Sequence, residues 1–336
     1  MLEDQDDRPE ADDDRDRDHD PDAVGPADNA GEAVAEPENP RAGFVALVGA
    51  PNAGKSTLLN ALVGAKVSIV SPKVQTTRAR VLGIVIEGDS QIVFVDTPGI
   101  FEPRKRLERA MVAAAWKGAE DADEILVLVD SSRRGGIDDN TRAIVARLKE
   151  TGRKALAALT KVDLIRRDRL LGLAAELDAE GVFTEIFMIS AVTADGMEGL
   201  RKALAARMPA GPWLYPADQI SDMPMRLIAA EIVREKLFLQ LHEELPYSAT
   251  VETETWEEFQ DGSVRIGCQI TVRREGQRAI VLGKGGTRIK SLGLAARKEL
   301  EEFLERRVHL KLHVRVREDW AENPEHYKPW GLDFNA

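Results

Sequence analysis

At 336 residues and 43% hydrophobic content, the chain is long enough to bury two separate cores, so two folded domains are expected. Its formal net charge of −12 is a local feature: residues 1–40 hold sixteen acidic side chains against three arginines, a net −13, which leaves about +1 for residues 41–336. One cysteine, Cys268, excludes an internal disulfide framework. No apolar stretch approaches the roughly 18 residues of a membrane span and the acidic start lacks a secretory pattern, so a cytoplasmic protein is expected.

Residues 1–40, rich in Asp, Pro and Ala and without aromatics, cannot offset their ordering entropy by burial and are predicted to be a disordered tail. From residue 41 to 208 short apolar runs alternate with helical patterns. The predicted strands are Phe44–Val48, Val81–Glu87, Gln91–Val95, Ile125–Val129, Ala155–Leu159 and Glu185–Ile189, with helices over Asp138–Thr151 and Arg167–Glu180. This is the α/β pattern of a mostly parallel sheet, whose ligands bind at the carboxyl ends of the strands. Residues 209–224 carry four prolines and no period, and are predicted to be a linker. A smaller α+β domain follows over residues 225–320. Its predicted elements are a helix at Met225–Leu241, strands at Ala249–Glu257 and Ser263–Val272, a short helix at Gln277–Leu282, a long one at Thr287–Leu304 and a strand at Val308–Val316. Residues 321–336 are expected to be a tail. Neither block is duplicated. Cys268 lies in an alternating apolar run and is expected to be a small buried hydrophobe. His242, His309, His313 and His326 lack zinc-ligand spacing with cysteine.

The run Gly49, Ala50, Pro51, Asn52, Ala53, Gly54, Lys55, Ser56 fits G-x-x-x-x-G-K-[ST] between an apolar strand and a helix that opens with Thr57. Loop N–H groups would face phosphate oxygens, Lys55 would add charge at the β and γ phosphates, and Ser56 would ligate Mg²⁺. Asp96, Thr97, Pro98 and Gly99 follow the Gln91–Val95 strand, placing a carboxylate beside that ion and a flexible N–H near a third phosphate. Thr160, Lys161 and Asp163 follow the Ala155–Leu159 strand, and Ser190 and Ala191 the next. A carboxylate at Asp163 can accept both the N1–H and N2 amine of guanine, whereas adenine would leave it unpaired; GTP and GDP are the expected ligands. Taken alone, Asp163 could equally be a helix cap.

These motifs, with Gln75–Arg78 ("QTTR"), resemble those of the translation-factor-related GTPases, and among them the Era family, over residues 42 to about 320. The resemblance implies a switch threonine, Thr77, that closes over Mg²⁺ with Ser56 and with Asp96 acting through water, and a hydrolytic site built on Lys55, Thr77 and Gly99. Two positions depart from the commoner pattern of such GTPases. Thr160 stands where the family usually has asparagine, which replaces an amide contact by a hydroxyl. Ile100 stands where many relatives place a water-orienting glutamine, so slow intrinsic hydrolysis is expected. Asn52 resembles the loop asparagine of potassium-activated members, which implies K⁺ as an activator; the alternative is a loop residue bonded to its own backbone.

Gly283, Lys284, Gly285 and Gly286 separate the two C-terminal helices. A GxxG turn between helices lets a nucleic-acid backbone approach closely, although a plain helix-connecting turn produces the same four residues. Residues 265–317 contain fourteen Lys or Arg against five Glu, as a phosphate-contacting face requires. The element order resembles a KH domain of the bacterial type, and Arg278, Gly283, Lys284, Gly285, Gly286, Arg288 and Lys290 are its candidate RNA contacts. The family resemblance implies a monomeric switch that binds the 3′ end of 16S ribosomal RNA, engages the immature small ribosomal subunit and does not bind DNA. Two other readings remain: an RNA adaptor holding GTP as a structural ligand, and a regulator whose basic face binds a membrane surface peripherally.

Overall fold

A computed structural model describes residues 37–73, 76–78, 80–133, 135–241 and 245–336. The acidic segment 1–36, Gln75 and His242 lie outside the described residues. In the first half, β1 (Arg41–Gly49), β2 (Val81–Glu87), β3 (Ser90–Asp96), β4 (Glu124–Asp130), β5 (Ala155–Thr160) and β6 (Phe183–Met188) form, among the described residues, one sheet in the order β2-β3-β1-β4-β5-β6. Only the β2/β3 hairpin among these pairs is antiparallel, and β1 pairs in parallel with both β3 and β4. The strand order therefore reverses at β1, which opens a crevice at its carboxyl end.

The helices are α1 (Lys55–Val63), α2 (Arg106–Asp121), α3 (Asp139–Thr151), α4 (Arg167–Ala179) and α5 (Met197–Ala205). Leu58, Leu59 and Leu62 of α1 and Leu200 and Leu204 of α5 cover one sheet face; α2, α3 and α4 cover the other through Ala115, Ile144, Leu148 and Leu173. Each fully buried leucine contributes about 1.5–3 kcal/mol, and burial on both faces explains why β1 reads as an unbroken apolar run. The expected start of α3 at Asp138 is its N-cap, whose carboxylate accepts from Asn140 N and Thr141 N. Helices α2 and α5, not singled out in the sequence, complete the cover. In α2, Glu108 Oε2 accepts the Arg104 and Lys105 amides and fixes the entry.

The second half holds α6 (Met225–Gln240), β7 (Ala249–Glu258), β8 (Val264–Val272), α7 (Glu275–Leu282), α8 (Thr287–Leu304) and β9 (Val308–Val316). The order β7-β8-β9, with β8/β9 parallel, is backed by α6 and α8 through Val233, Leu237, Leu292, Ala296 and Leu300. Cys268 is fully buried in β8, and burial pushes its thiol up to about 11. Helix α7 starts two residues earlier than expected because Gln277 Oε1 accepts the Arg273 and Arg274 amides.

Residues 209–224, expected as a linker, run along the β2/β3 edge: Ile84 N donates to Ile220 O at 3.0 Å, and Ser221 Oγ to Leu82 O at 2.8 Å. Residues 321–336 differ from the expected tail. Trp320, Tyr327, Trp330 and Leu332 are buried against Ala110 and Met111 of α2. Aromatics at irregular spacing give no periodic signal, so only the facing helix reveals their burial.

Candidate nucleotide site and nucleic-acid interface

The loop after β1 is tightly fixed. Lys55, buried at the start of α1, donates from Nζ to Gly49 O at 3.2 Å and Ala50 O at 3.1 Å. Helix α1 has no side-chain cap on its first turn, leaving those N–H groups for an anion. Gly99 lies against this loop so closely that a Cβ would stand 2.9 Å from both Pro51 Cα and Pro51 N. A larger residue there would push the loop off the phosphate position. Ile100 donates its N–H to Gly49 O at 3.0 Å and buries its side chain in the sheet core. That side chain anchors the loop and takes no part in orienting water. Thr97 Oγ1 donates to Leu47 O at 2.8 Å, so its role is also to hold the strand ends together.

Ser56, Thr77 and Asp96 converge as expected. Ser56 Oγ donates to Asp96 Oδ2 at 2.7 Å and lies 2.9 Å from Thr77 Oγ1, which is itself 3.4 Å from the same carboxylate oxygen. Ser68, missed in the sequence, adds a 2.9 Å bond to Asp96 Oδ2. The other oxygen, Asp96 Oδ1, is buried and has no hydrogen-bond partner among the described residues. Burial pushes the Asp96 carboxyl up, against the pull of Lys55 and the three hydroxyls. An orphaned buried carboxylate oxygen beside two hydroxyls fits a hard divalent cation such as Mg²⁺, which takes few protein ligands and completes its shell with water and phosphate.

At the next strand end Thr160 Oγ1 donates to Ala53 O at 2.8 Å and lies 3.3 Å from Val129 O. The hydroxyl thus braces the phosphate loop. Lys161 Nζ reaches Asn52 O at 2.9 Å and Asp130 Oδ2 at 2.7 Å. Asn52 Nδ2 donates to Pro72 O at 2.9 Å, joining the loop to the switch segment and not to its own backbone. Arg133 was also missed; its Nη2 donates to Pro51 O at 3.0 Å. It follows a β-strand end, where the strand-end rule could have found it. A cleft of about 440 Å³ is lined by Asn52, Gly54, Lys55, Ser56, Thr57, Thr77, Gly99, Arg133 and Lys161, enough for a nucleotide. Asp163, Ser190 and Ala191 are not among the residues that line it. Asp163 is exposed on the Val162–Leu164 turn, which Val162 N ties to Ile189 O at 3.3 Å, while Ser190 is buried and its Oγ accepts Thr193 N at 3.1 Å.

In the second half the GxxG turn stands between α7 and α8. Gly283 has φ 72° and a Cβ there would meet Arg288 Cβ at 2.7 Å; Gly285 and Gly286 have φ 61° and 77° with open space beyond. Lys284 and Lys290 are exposed. Arg278 pairs with Glu275 at 2.6 Å, and Arg288 Nη1 turns back to Ile280 O at 3.0 Å, capping α7. The turn therefore presents bare backbone flanked by cations.

The fold and these two sites define a GTP-hydrolysing P-loop protein that carries a KH module. The 50S ribosome-binding GTPase family matches residues 44–161 and the KH domain family residues 244–321. The chain is 55% identical over 307 residues to the GTPase Era of Afipia carboxidovorans, covering 91% of this chain and 98% of that protein. It is 59% identical over 294 residues to the GTPase Era of Rhizobium meliloti, covering 88% and 93%. Among solved structures it resembles a point variant of Aquifex aeolicus Era bound to GDP·AlF4⁻, and Era in complex with MgGDPNP and nucleotides 1506–1542 of 16S ribosomal RNA. Each has a TM-score of 0.82 and 40% identity, covering 87% of this chain and 99% of the other. The chain belongs to the Era GTPase family. It binds guanine nucleotide and hydrolyses GTP.

Proposed function

We propose that the chain binds single-stranded RNA from the 3′ end of 16S ribosomal RNA through the α7–GxxG–α8 face, and that GTP hydrolysis times its work on the maturing small subunit. The observation that carries this is the open space beside Gly285 and Gly286, between the exposed Lys284 and Lys290, supported by the Era complex with 16S nucleotides. In the nucleotide cleft Lys55 binds the β and γ phosphates, the Gly99 N–H meets the γ-phosphate, and Asp163 selects guanine. Ser56, Thr77 and Asp96 would hold Mg²⁺, which neutralises the phosphate charge. Water attacks the γ-phosphorus, the bond to the β-phosphate oxygen breaks, and GDP and phosphate leave. With Ile100 buried as core, no side chain at that position orients the water.

The RNA reading is tested with Lys284→Asp/Gly285→Asp, since aspartate tolerates positive φ. Affinity for a single-stranded 3′-terminal 16S fragment should fall about 10²-fold at two salt concentrations, with guanine-nucleotide binding retained as the folding control. Unchanged RNA affinity overturns the assignment. An equal loss on duplex RNA, or vesicles of anionic lipid displacing the RNA, would reduce the face to a general basic or membrane-binding patch. Monovalent activation rests on Asn52, whose amide nitrogen is committed to Pro72 O, leaving its oxygen for a cation. Replacing K⁺ by Na⁺ should slow hydrolysis, and Asn52→Ala should abolish that difference; rates indifferent to the cation would exclude it.

A further inference from the structure

Thr77 is held on both sides by residues of the KH half. Preceding it, the Thr76 carbonyl accepts from Arg234 Nη2 of α6 at 2.5 Å. Arg234 is 1% exposed and its guanidinium is oriented by Glu231, one helical turn away. Following it, Arg78 is 2% exposed and donates from Nη1 to Ala249 O at 2.8 Å. Its guanidinium carbon lies 5.9 Å from the ring centre of Phe238, 5.7 Å from Trp320 and 5.6 Å from Trp330. That cage is made by α6 and the C-terminal segment. Further upstream, Val70 N donates to Glu235 Oε1 at 2.9 Å, and Lys73 Nζ reaches the carbonyls of Phe238 and Leu241.

A threonine on a loop must be held to within a fraction of an ångström if its hydroxyl is to serve a metal and phosphate site, and a displacement of about 1 Å can cost 10²-fold in rate. Inside the GTPase half Thr77 meets Ser56 and Asp96 by hydroxyl contacts. Its two neighbours reach outside that half, Thr76 through its carbonyl and Arg78 through its guanidinium. We propose that Arg78 and Arg234 are positioning residues for GTP hydrolysis that act through Thr77, and that Trp320 and Trp330 are part of the hydrolytic apparatus. Arginine suits the cage because its planar guanidinium stacks on rings while its fork keeps the Ala249 bond; lysine keeps the charge and loses both geometries.

The test uses the full chain and a double-mutant cycle of Arg78→Lys with Thr77→Ala, read by single-turnover hydrolysis, GDP affinity and peptide-level amide hydrogen exchange over Thr76–Arg78 without nucleotide. Arg78→Lys should lower the hydrolysis rate about tenfold or more, leave GDP affinity within about twofold, and speed exchange at Thr76–Arg78. In the Thr77→Ala background it should lower the rate no further, because the group it positions is gone. An unchanged rate, unchanged exchange, or the same fold-loss in both backgrounds overturns the proposal. If Arg78→Lys does not fold, Arg234→Lys and Trp330→Phe are read by the same cycle with the same outcomes.

Discussion

Lys55 shows how burial turns a single side chain into a pH-dependent binder. In the free chain burial pushes its amine down to about 8, and the charge of Asp96 pulls weakly the other way. Phosphates beside it would favour the charged form, so above that pH GTP binding should be weaker and coupled to uptake of a proton. The sign follows: GTP affinity is flat with respect to this group below about pH 7 and falls by up to ~10-fold per unit above about pH 8. Calorimetry near pH 8.5 (about half a unit above that value) in two buffers of different ionisation enthalpy should register the uptake; affinity that stays level through the alkaline range contradicts it. The same depressed amine means that the free protein gains stability as pH rises from about 8 toward the ordinary lysine range, where the unfolded chain also loses the proton. Thr160 is the other instructive residue. Its sequence position suggested that a hydroxyl replaces an amide contact, and that hydroxyl braces Ala53 of the phosphate loop and lies near Val129 O.

Among elements, the segment 209–224 departs furthest from what its composition suggests. Gln91, fully buried in β3, donates from Nε2 to Tyr215 O at 2.7 Å and accepts Leu214 N at 2.8 Å and Tyr215 N at 3.0 Å. One side chain therefore satisfies three backbone groups of a proline-rich stretch that has no ladder of its own. Gln91→Leu keeps the volume and removes those partners, and unsatisfied groups of this kind cost about 1–3 kcal/mol each, less where water returns. Urea unfolding should show a loss of about 2–3 kcal/mol; a change below about 0.5 kcal/mol would mean that the strap rehydrates without consequence.

At the scale of the molecule, the GTPase and KH halves belong to one compact unit. Lys66, in the loop after α1, pairs with Glu235 of α6 at 2.7 Å and with Glu299 of α8, and Lys236 bridges the same two acids. The order of elements, the nucleotide loop, the Ser56 and Asp96 positions that meet at the strand ends and the GxxG turn were legible in the chain because each is a local pattern: an apolar period, a glycine at a forced backbone angle, a strand running into a short polar motif. Local patterns survive being read one stretch at a time. Ser68 and the partners of Thr76 and Arg78 were not legible, since each depends on segments that meet only after folding; Arg234 is 158 residues from Thr76. The sequence by itself determined which ligand chemistry the strand ends and the basic turn could support. Tertiary structure alone decided that the supposed linker straps the sheet, that the C-terminal aromatics enclose Arg78, and that Thr76 and Arg78, the neighbours of Thr77, bond to the KH half. The physical reason is that burial and cation–aromatic contact are properties of pairs of surfaces, and a single chain segment carries only one of the two.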